Sequence, residues 1–269
     1  MKKTTLLLSL AFGVSSVFAQ DLTSKKGEPM LPEAGDWAIG ISAAPFLNYA
    51  GNFIGGNGLN VAPTNNFLST NQSILGKYFV DEKTAYRAGI RLGFGSVSTS
   101  TKVPTVPATT PATFVDDVVK VGGTNIGITA GMEMRRGKTR LQGFYGAEVG
   151  IALGSAKTTN TYGNAITTTN PVPSRVTEAK AGSTFNLGLR GFIGAEYFLF
   201  PKISLGGEFG WGLALATTGE GETTTEGWNG TGVETTVTKT GKTSSFGVDT
   251  DNMNSVFGPA GTIRLSLHF

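Results

Sequence analysis

Residues 185–215 read "FNLGLRGFIGAEYFLFPKISLGGEFGWGLAL". On either side of "FPK" (200–202) the apolar residues recur at every second position. Before the turn, Phe185, Leu187, Leu189, Ile193 and Tyr197 oppose Asn186, Arg190 and Glu196. After it, Ile203, Leu205, Phe209, Trp211 and Leu213 oppose Ser204, Glu208 and several glycines. A period of two sends successive side chains to opposite faces of a strand, so this stretch reads as a hairpin with one apolar face. Its other face holds glycines and charges.

The pattern recurs upstream and downstream. In "AYRAGIRLGF" (85–94), Tyr86, Ala88, Ile90, Leu92 and Phe94 oppose Arg87 and Arg91. In "NIGITAGMEMR" (125–135), the isoleucines and methionines oppose Glu133 and Arg135. In "LQGFYGAEVGIAL" (141–153), Leu141, Tyr145, Val149, Ile151 and Leu153 oppose Gln142 and Glu148. The last strand, "GTIRLSLHF" (261–269), sets Ile263, Leu265, Leu267 and Phe269 against Thr262, Arg264, Ser266 and His268. Segments 36–50 and 67–80 read as two further strands in a looser register. The expectation is eight antiparallel strands. Short turns at 81–83, 136–139 and 200–202 alternate with long polar connections at 51–66, 99–117, 158–180 and 217–253.

Short turns on one side and long connections on the other are the layout of an up-and-down transmembrane barrel, with both termini on the periplasmic side. Alternation alone leaves open whether the apolar face is outside, and a soluble barrel is the competing reading. Three features favour the membrane. Large aromatics (Trp37, Tyr78, Tyr86, Tyr197, Trp211) sit on the apolar face near strand ends, as in an interfacial girdle. The opposite face is small or charged, which suits a narrow interior. The final strand alternates and ends in phenylalanine.

Composition is consistent with this. The chain has 269 residues, no cysteine and one histidine, so a disulfide framework and thiolate metal sites are excluded. The opening "MKKTTLLLSLAFGVSSVFA" has a basic start, an apolar run and small residues before a cut after Ala19, which is a signal-peptide pattern. Residues 20–35 read as a periplasmic tail and 36–269 as the barrel. Losing Lys2 and Lys3 lowers the formal charge from +3 to +1. No basic stripe is present to bind nucleic acid.

Several markers resemble a known type. They are the "A|Q" cut, "EAGDWAIGISAAPFLNYAG", "GKYFVDEKTAYRAGIRLGF", "GAEYFLFPKISLGGEF" and the closing "TIRLSLHF". Together they resemble the small OmpA-like or porin-like outer-membrane barrels of Bacteroidota. The resemblance covers the mature chain. It implies outer-membrane lipid as surroundings and insertion by the barrel assembly machinery, with Ile263, Leu265, Leu267 and Phe269 as the assembly signal. Unlike full-length OmpA, the sequence ends at the barrel, so no peptidoglycan-binding domain is expected.

Four near-identical phrases carry glutamates: "GMEM" (131–134), "GAEV" (146–149), "GAEY" (194–197) and "GGEF" (206–209). Glu133, Glu148, Glu196 and Glu208 share a face with Lys77, Arg87, Arg91, Arg135, Arg190 and Arg264. Buried charges need partners, so these ten residues are expected to form a charge network inside the barrel. The expected pairs are Arg87 with Glu133, Arg190 with Glu148, and Arg264 with Glu208. Arg264 would also relieve the repulsion between Glu196 and Glu208. Glycines 131, 146, 194 and 206 would leave room for the charged side chains.

Catalysis is not expected. His268 is the single histidine, at the closed end of a narrow barrel, away from substrate. The glutamates have no local ligand spacing for a metal. "RRGKT" and "GKTS" lack the first glycine of a phosphate loop, with Met132 and Thr236 in its place. No cofactor is expected. The expectation is a non-enzymatic, charge-plugged barrel that is structural or associated with an outer-membrane protein partner. The alternatives are a narrow channel for small solutes and an adhesin acting through the long loops, with Trp228 as a contact anchor.

Overall fold

A computed structural model describes residues 22–24, 26–56, 74–248 and 261–269. Residues 1–21, 25, 57–73 and 249–260, which include the segment expected to be a signal peptide (1–19) and the start of the strand expected over 67–80, lie outside the described residues.

The strands are β1 (Trp37–Ser42), β2 (Ile74–Asp81), β3 (Thr84–Pro104), β4 (Phe114–Arg136), β5 (Leu141–Thr161) and β6 (Arg175–Lys180). They continue with β7 (Thr184–Phe200), β8 (Ile203–Thr218), β9 (Glu222–Trp228), β10 (Val233–Lys239), β11 (Thr243–Val248) and β12 (Gly261–His268). One helix, α1 (Ala44–Ile54), follows β1. All strand pairings are antiparallel.

Eight strands close on themselves in the order β1-β2-β3-β4-β5-β7-β8-β12, with β12 paired back to β1. At the seam, Trp37 N–H donates to Phe269 O at 2.8 Å and Phe269 N–H to Trp37 O at 2.9 Å. The sheet is therefore a barrel, and its proportions follow from the register. Pairs link Ser204, Ser266, Gly40, Leu75, Gly89, Thr129, Gly150, Gly188 and Ala214 in turn. That path starts and ends on β8, and its ends are ten residues apart, Ser204 to Ala214. Eight strands with this stagger tilt by about 40° and enclose a backbone radius of about 8 Å. Long side chains from opposite walls can meet at the centre of such a ring.

The expected count of eight corresponds to eight lines of strand, but the sheet contains twelve strands. The threonine-rich segments expected as loops are ladder. β6 against β9 and β7 against β8 keep one register, from Lys180↔Glu222 to Thr184↔Thr218. β10 and β11 run along the other edge of the same line, at Lys239↔Glu222 and Thr243↔Thr218, and β12 rejoins lower at Gly261↔Phe209. Likewise the 99–117 connection shrinks to 105–113, because β3 and β4 pair as far as Pro104↔Phe114. Threonine suits a pleated surface even where both faces are polar.

Segment 36–50 is corrected more strongly. Its strand ends at Ser42, and α1 takes over from Ala44. Pro45, in the first turn, has no N–H to lose there and presets a helical φ. The short turns lie where expected, with Lys202 at φ 65° closing the β7–β8 hairpin.

Residues 22–24 and 26–35 are attached at the short-turn end. Gly35 N–H donates to Phe79 O and Phe79 N–H to Asp36 O, while Lys202 Nζ meets Asp36 Oδ2 at 2.6 Å. Met30 in this segment is buried.

Candidate functional site

The strands turn their second face inward. Lys77, Arg87, Arg91, Glu133, Arg135, Glu148, Arg190, Glu196 and Glu208 are all buried, and Arg264 is partly so. Their partners show that they face each other across the ring. β2 and β7 are four places apart in an eight-membered ring, yet Lys77 Nζ lies 3.7 Å from Glu196 Oε2. β3 and β8 are also four places apart, and Arg87 Nη1 meets Glu208 Oε2 at 2.7 Å.

The charges form two linked tiers. In the one nearer the short turns, Glu133 takes Lys77 at 3.0 Å and Arg135 at 2.7 Å, and Arg135 reaches Glu196 at 2.8 Å. In the other, Arg190 Nη1 lies 2.7 Å from both Glu148 and Glu208, and Arg87 contacts Glu148 at 3.1 Å as well as Glu208. Arg87 joins the tiers through Glu133 at 3.6 Å. Buried charges in such numbers are tolerable only when each has close counter-charges and hydrogen bonds.

The geometry redraws the pairing expected from strand adjacency. Arg190–Glu148 is present, and Arg87–Glu133 is the longest of Arg87's three contacts. Among the described residues Arg264 has no ion pair within 4 Å, and Glu208 is held by Arg87 and Arg190 instead. Glu196 and Glu208 lie on adjacent strands, two positions apart in register. Each has its own cations, so Arg264 is not what keeps them compatible.

Four phenylalanines inside the ring have no counterpart in the sequence reading. Phe79, Phe144, Phe192 and Phe198 are buried among the charges. The Arg87 guanidinium stacks 3.9 Å from the Phe192 ring centroid, and Lys77 Nζ lies 4.9 Å from that of Phe144. Arg135 lies 5.3 Å from Phe79 and 5.9 Å from Phe198. Such contacts strengthen as water is excluded. They also revise the purpose of two glycines in the repeated phrases, Gly146 and Gly194, whereas Gly131 and Gly206 face the Glu148 and Glu196 side chains as expected. Phe144 pairs directly with Gly194, and Phe192 with Gly146. A methyl group at Gly194 would strike the Phe144 ring and Gly207 O, and one at Gly146 the Phe192 ring and Met132 O. Those glycines seat phenyl rings, as edge-on aromatics do over strand glycines. The signal was available in the sequence: Phe144 has the parity of Glu148, and Phe192 that of Arg190.

At the short-turn end, Ser204 Oγ lies 2.6 Å from Glu196 Oε1 and 2.9 Å from His268 Nε2. This groups a serine, a histidine and a carboxylate in the wrong order for nucleophilic catalysis. The serine has one proton, and it goes to Glu196, so His268 donates to the serine rather than accepting from it. His268 Nδ1 has no partner among the described residues, so no carboxylate orients the ring as a base. Ser204 is fully buried, and the His268 ring lies between Phe79 and Phe198 at centroid distances of 5.6 and 5.1 Å. The cluster is a floor.

The expected assembly-signal residues, Trp228 and the acids of the threonine-rich ladder lie outside the interior. Ile263, Leu265, Leu267 and Phe269 are exposed on the outer face of β12 and its end. Glu226 pairs with Arg175 at 2.7 Å, and Glu220 and Glu222 lie near Lys239. Trp228 ends β9, partly buried, opposite Val233.

No protein-family model and no curated protein matches the chain. Among solved structures, the outer membrane protein OprG from Pseudomonas aeruginosa is similar over 89% of this chain and 98% of that one. The identity is 13% and the TM-score 0.31, too slight a likeness to assign a role.

Proposed function

We propose that this is a non-enzymatic outer-membrane barrel with a plugged lumen, serving as a structural or complex-associated surface protein. The outer face carries the membrane reading. Leu92, Ile128, Leu189 and Ile193 are each more than half exposed on it. Aromatic residues bracket this aliphatic surface, apart from Phe209 and Trp211, which are exposed midway along β8 and not, as expected for Trp211, near a strand end. Trp37, Tyr78, Tyr86, Tyr145 and Tyr197 lie toward the short turns, and Phe94, Phe185 and Phe246 lie toward the long hairpins. Along β3 and β7 the two aromatic rows are about 20–30 Å apart at this tilt, which matches the apolar band of outer-membrane barrels. A soluble protein rarely leaves so much contiguous apolar surface in water.

The plug reading rests on the ion pairs that span the ring. They occupy the axis that a solute would have to use, which disfavours the narrow-channel alternative. The extended threonine-rich ladder of β6, β9, β10 and β11 gives the adhesin alternative a rigid surface, but no side-chain cluster on it suggests a ligand. In this reading Ile263, Leu265, Leu267 and Phe269 serve assembly by adding the last strand to an exposed edge.

Topology is the direct test. The native chain has no cysteine, so single cysteines at Thr236 and Lys83 can be probed with a membrane-impermeant maleimide on intact cells. Labelling at Thr236 alone is expected. Labelling at neither site, with the protein in the soluble fraction, would overturn the membrane reading. Crosslinking in native outer membranes would then identify a stable partner.

A further inference from the structure

The interior charges do not balance. Lys77, Arg87, Arg91, Arg135, Arg190 and Arg264 face four carboxylates, Glu133, Glu148, Glu196 and Glu208. The structure identifies the two unmatched cations. Every other charge has an ion pair within 4 Å, whereas among the described residues Arg91 and Arg264 have none. Arg91 is 6% exposed, and its Nε has no hydrogen-bond partner. Nε of Arg264 and Oγ1 of neighbouring Thr262 are likewise buried and unpartnered. Glu208 and Glu148 act on Arg264 only from beyond contact distance, with Arg87 and Arg190 already holding them. Two buried guanidinium groups left this way lack the compensation that every other interior charge has.

Beyond the plug there is space. Arg91 lies two inward positions past Arg87 on β3, toward the long hairpins, and lines a cavity of ≈ 360 Å³. Asn125, Gly154, Thr184 and Asn186 line the same cavity, and among the described residues no carboxylate does. A guanidinium with free N–H groups beside neutral amide and hydroxyl groups suits an oxyanion, which it can hold through two parallel hydrogen bonds.

The geometry points to an anion-binding cup above the plug, in which Arg91 holds a small oxyanion or the carboxylate or phosphate group of a larger solute. The plug closes the cup on the short-turn side, so ligand enters and leaves from the side of the long hairpins. The site depends on the closed interior and not on the cellular location of the barrel.

Sulfate is the probe. It would be titrated by calorimetry into the folded full chain in detergent micelles, at fixed ionic strength. Saturable binding near one equivalent is expected, together with slower unfolding in urea as sulfate rises. Arg91→Gln should weaken binding at least about tenfold, and Lys157→Gln on the outside of the ladder should not. The Arg91→Gln variant should fold, because it removes an uncompensated charge, and should lose the sulfate dependence of unfolding. No saturable binding by the unaltered protein would overturn the proposal without any variant. So would undiminished binding by Arg91→Gln. Because the assay is done in micelles, its failure would leave the membrane reading intact, and failed surface labelling would leave the anion site intact.

Discussion

Arg87 and Glu208 stand on opposite walls of the barrel, four strands apart, and meet at 2.7 Å in its centre. The pair is a strut across the lumen. Glu208 is also held at 2.7 Å by Arg190, so one carboxylate ties three strands together.

Removing that carboxylate should therefore be costly. Glu208→Ala leaves two buried guanidinium groups short of a partner, and the expected loss of stability is about 3–5 kcal/mol. Replacing Arg87 and Glu208 together by methionine should cost much less, since neither charge is then left alone. Urea unfolding in lipid vesicles, followed by tryptophan fluorescence, measures both.

The glycines beneath the phenyl rings give a second prediction. Gly146→Ala drives a methyl into the Phe192 ring and the backbone oxygen of Met132, so a loss of about 1–3 kcal/mol is expected. Gly207→Ala meets nothing within 4 Å and should be within about 0.5 kcal/mol of the parent. The same unfolding assay compares them, and equal effects would show that the rings do not occupy that space.

Outside the barrel, burial raises the Asp36 carboxyl, but Lys202 and the Glu33 N–H outweigh it and hold the group below the usual aspartate range. A depressed carboxyl contributes stability that is present above its unfolded pKa of about 3.9 and is lost as pH falls through the folded value. The clasp between the N-terminal segment and the β7–β8 turn should thus hold at neutral pH and release in acid below about pH 4. Lys202→Met should loosen it at neutral pH by about 1 kcal/mol or less. Proteolysis within residues 22–35 reports the release.

At the seam, Phe269 and Trp37 exchange both backbone hydrogen bonds. Deleting Phe269 removes both of them and the terminal aromatic, and should lower the amount of folded barrel in the outer membrane several-fold. Phe269→Ala keeps the backbone pairing and tests the side chain alone. If Phe269→Ala assembles normally while the deletion fails, the residue serves closure and not recognition.

Strand parity and turn positions were legible in the sequence because a half-buried strand displays its period directly, as in residues 185–215. Parity also predicts which residues face inward. It does not predict which of them touch. Register arguments pair neighbouring strands, whereas Lys77–Glu196 and Arg87–Glu208 span the lumen, and only the stagger of the closed ring brings them together. The inward phenylalanines were obscured by the habit of assigning large apolar residues to the outer face. The threonine-rich ladder was obscured because both of its faces are polar and it shows no hydrophobic period. Helix α1 read as strand because "AAPFLNYA" continues the apolar run of β1 without an evident break, although Pro45 marks the change.

Conductance tests the central claim most directly. The purified barrel would be inserted into planar lipid bilayers and recorded at neutral pH, with Glu208→Ala and Lys77→Ala alongside. Struts across an interior of about 8 Å backbone radius predict no stable open level for the parent and intermittent opening once a strut is cut. A steady, reproducible pore from the unaltered protein, indifferent to both substitutions, would contradict the closed lumen.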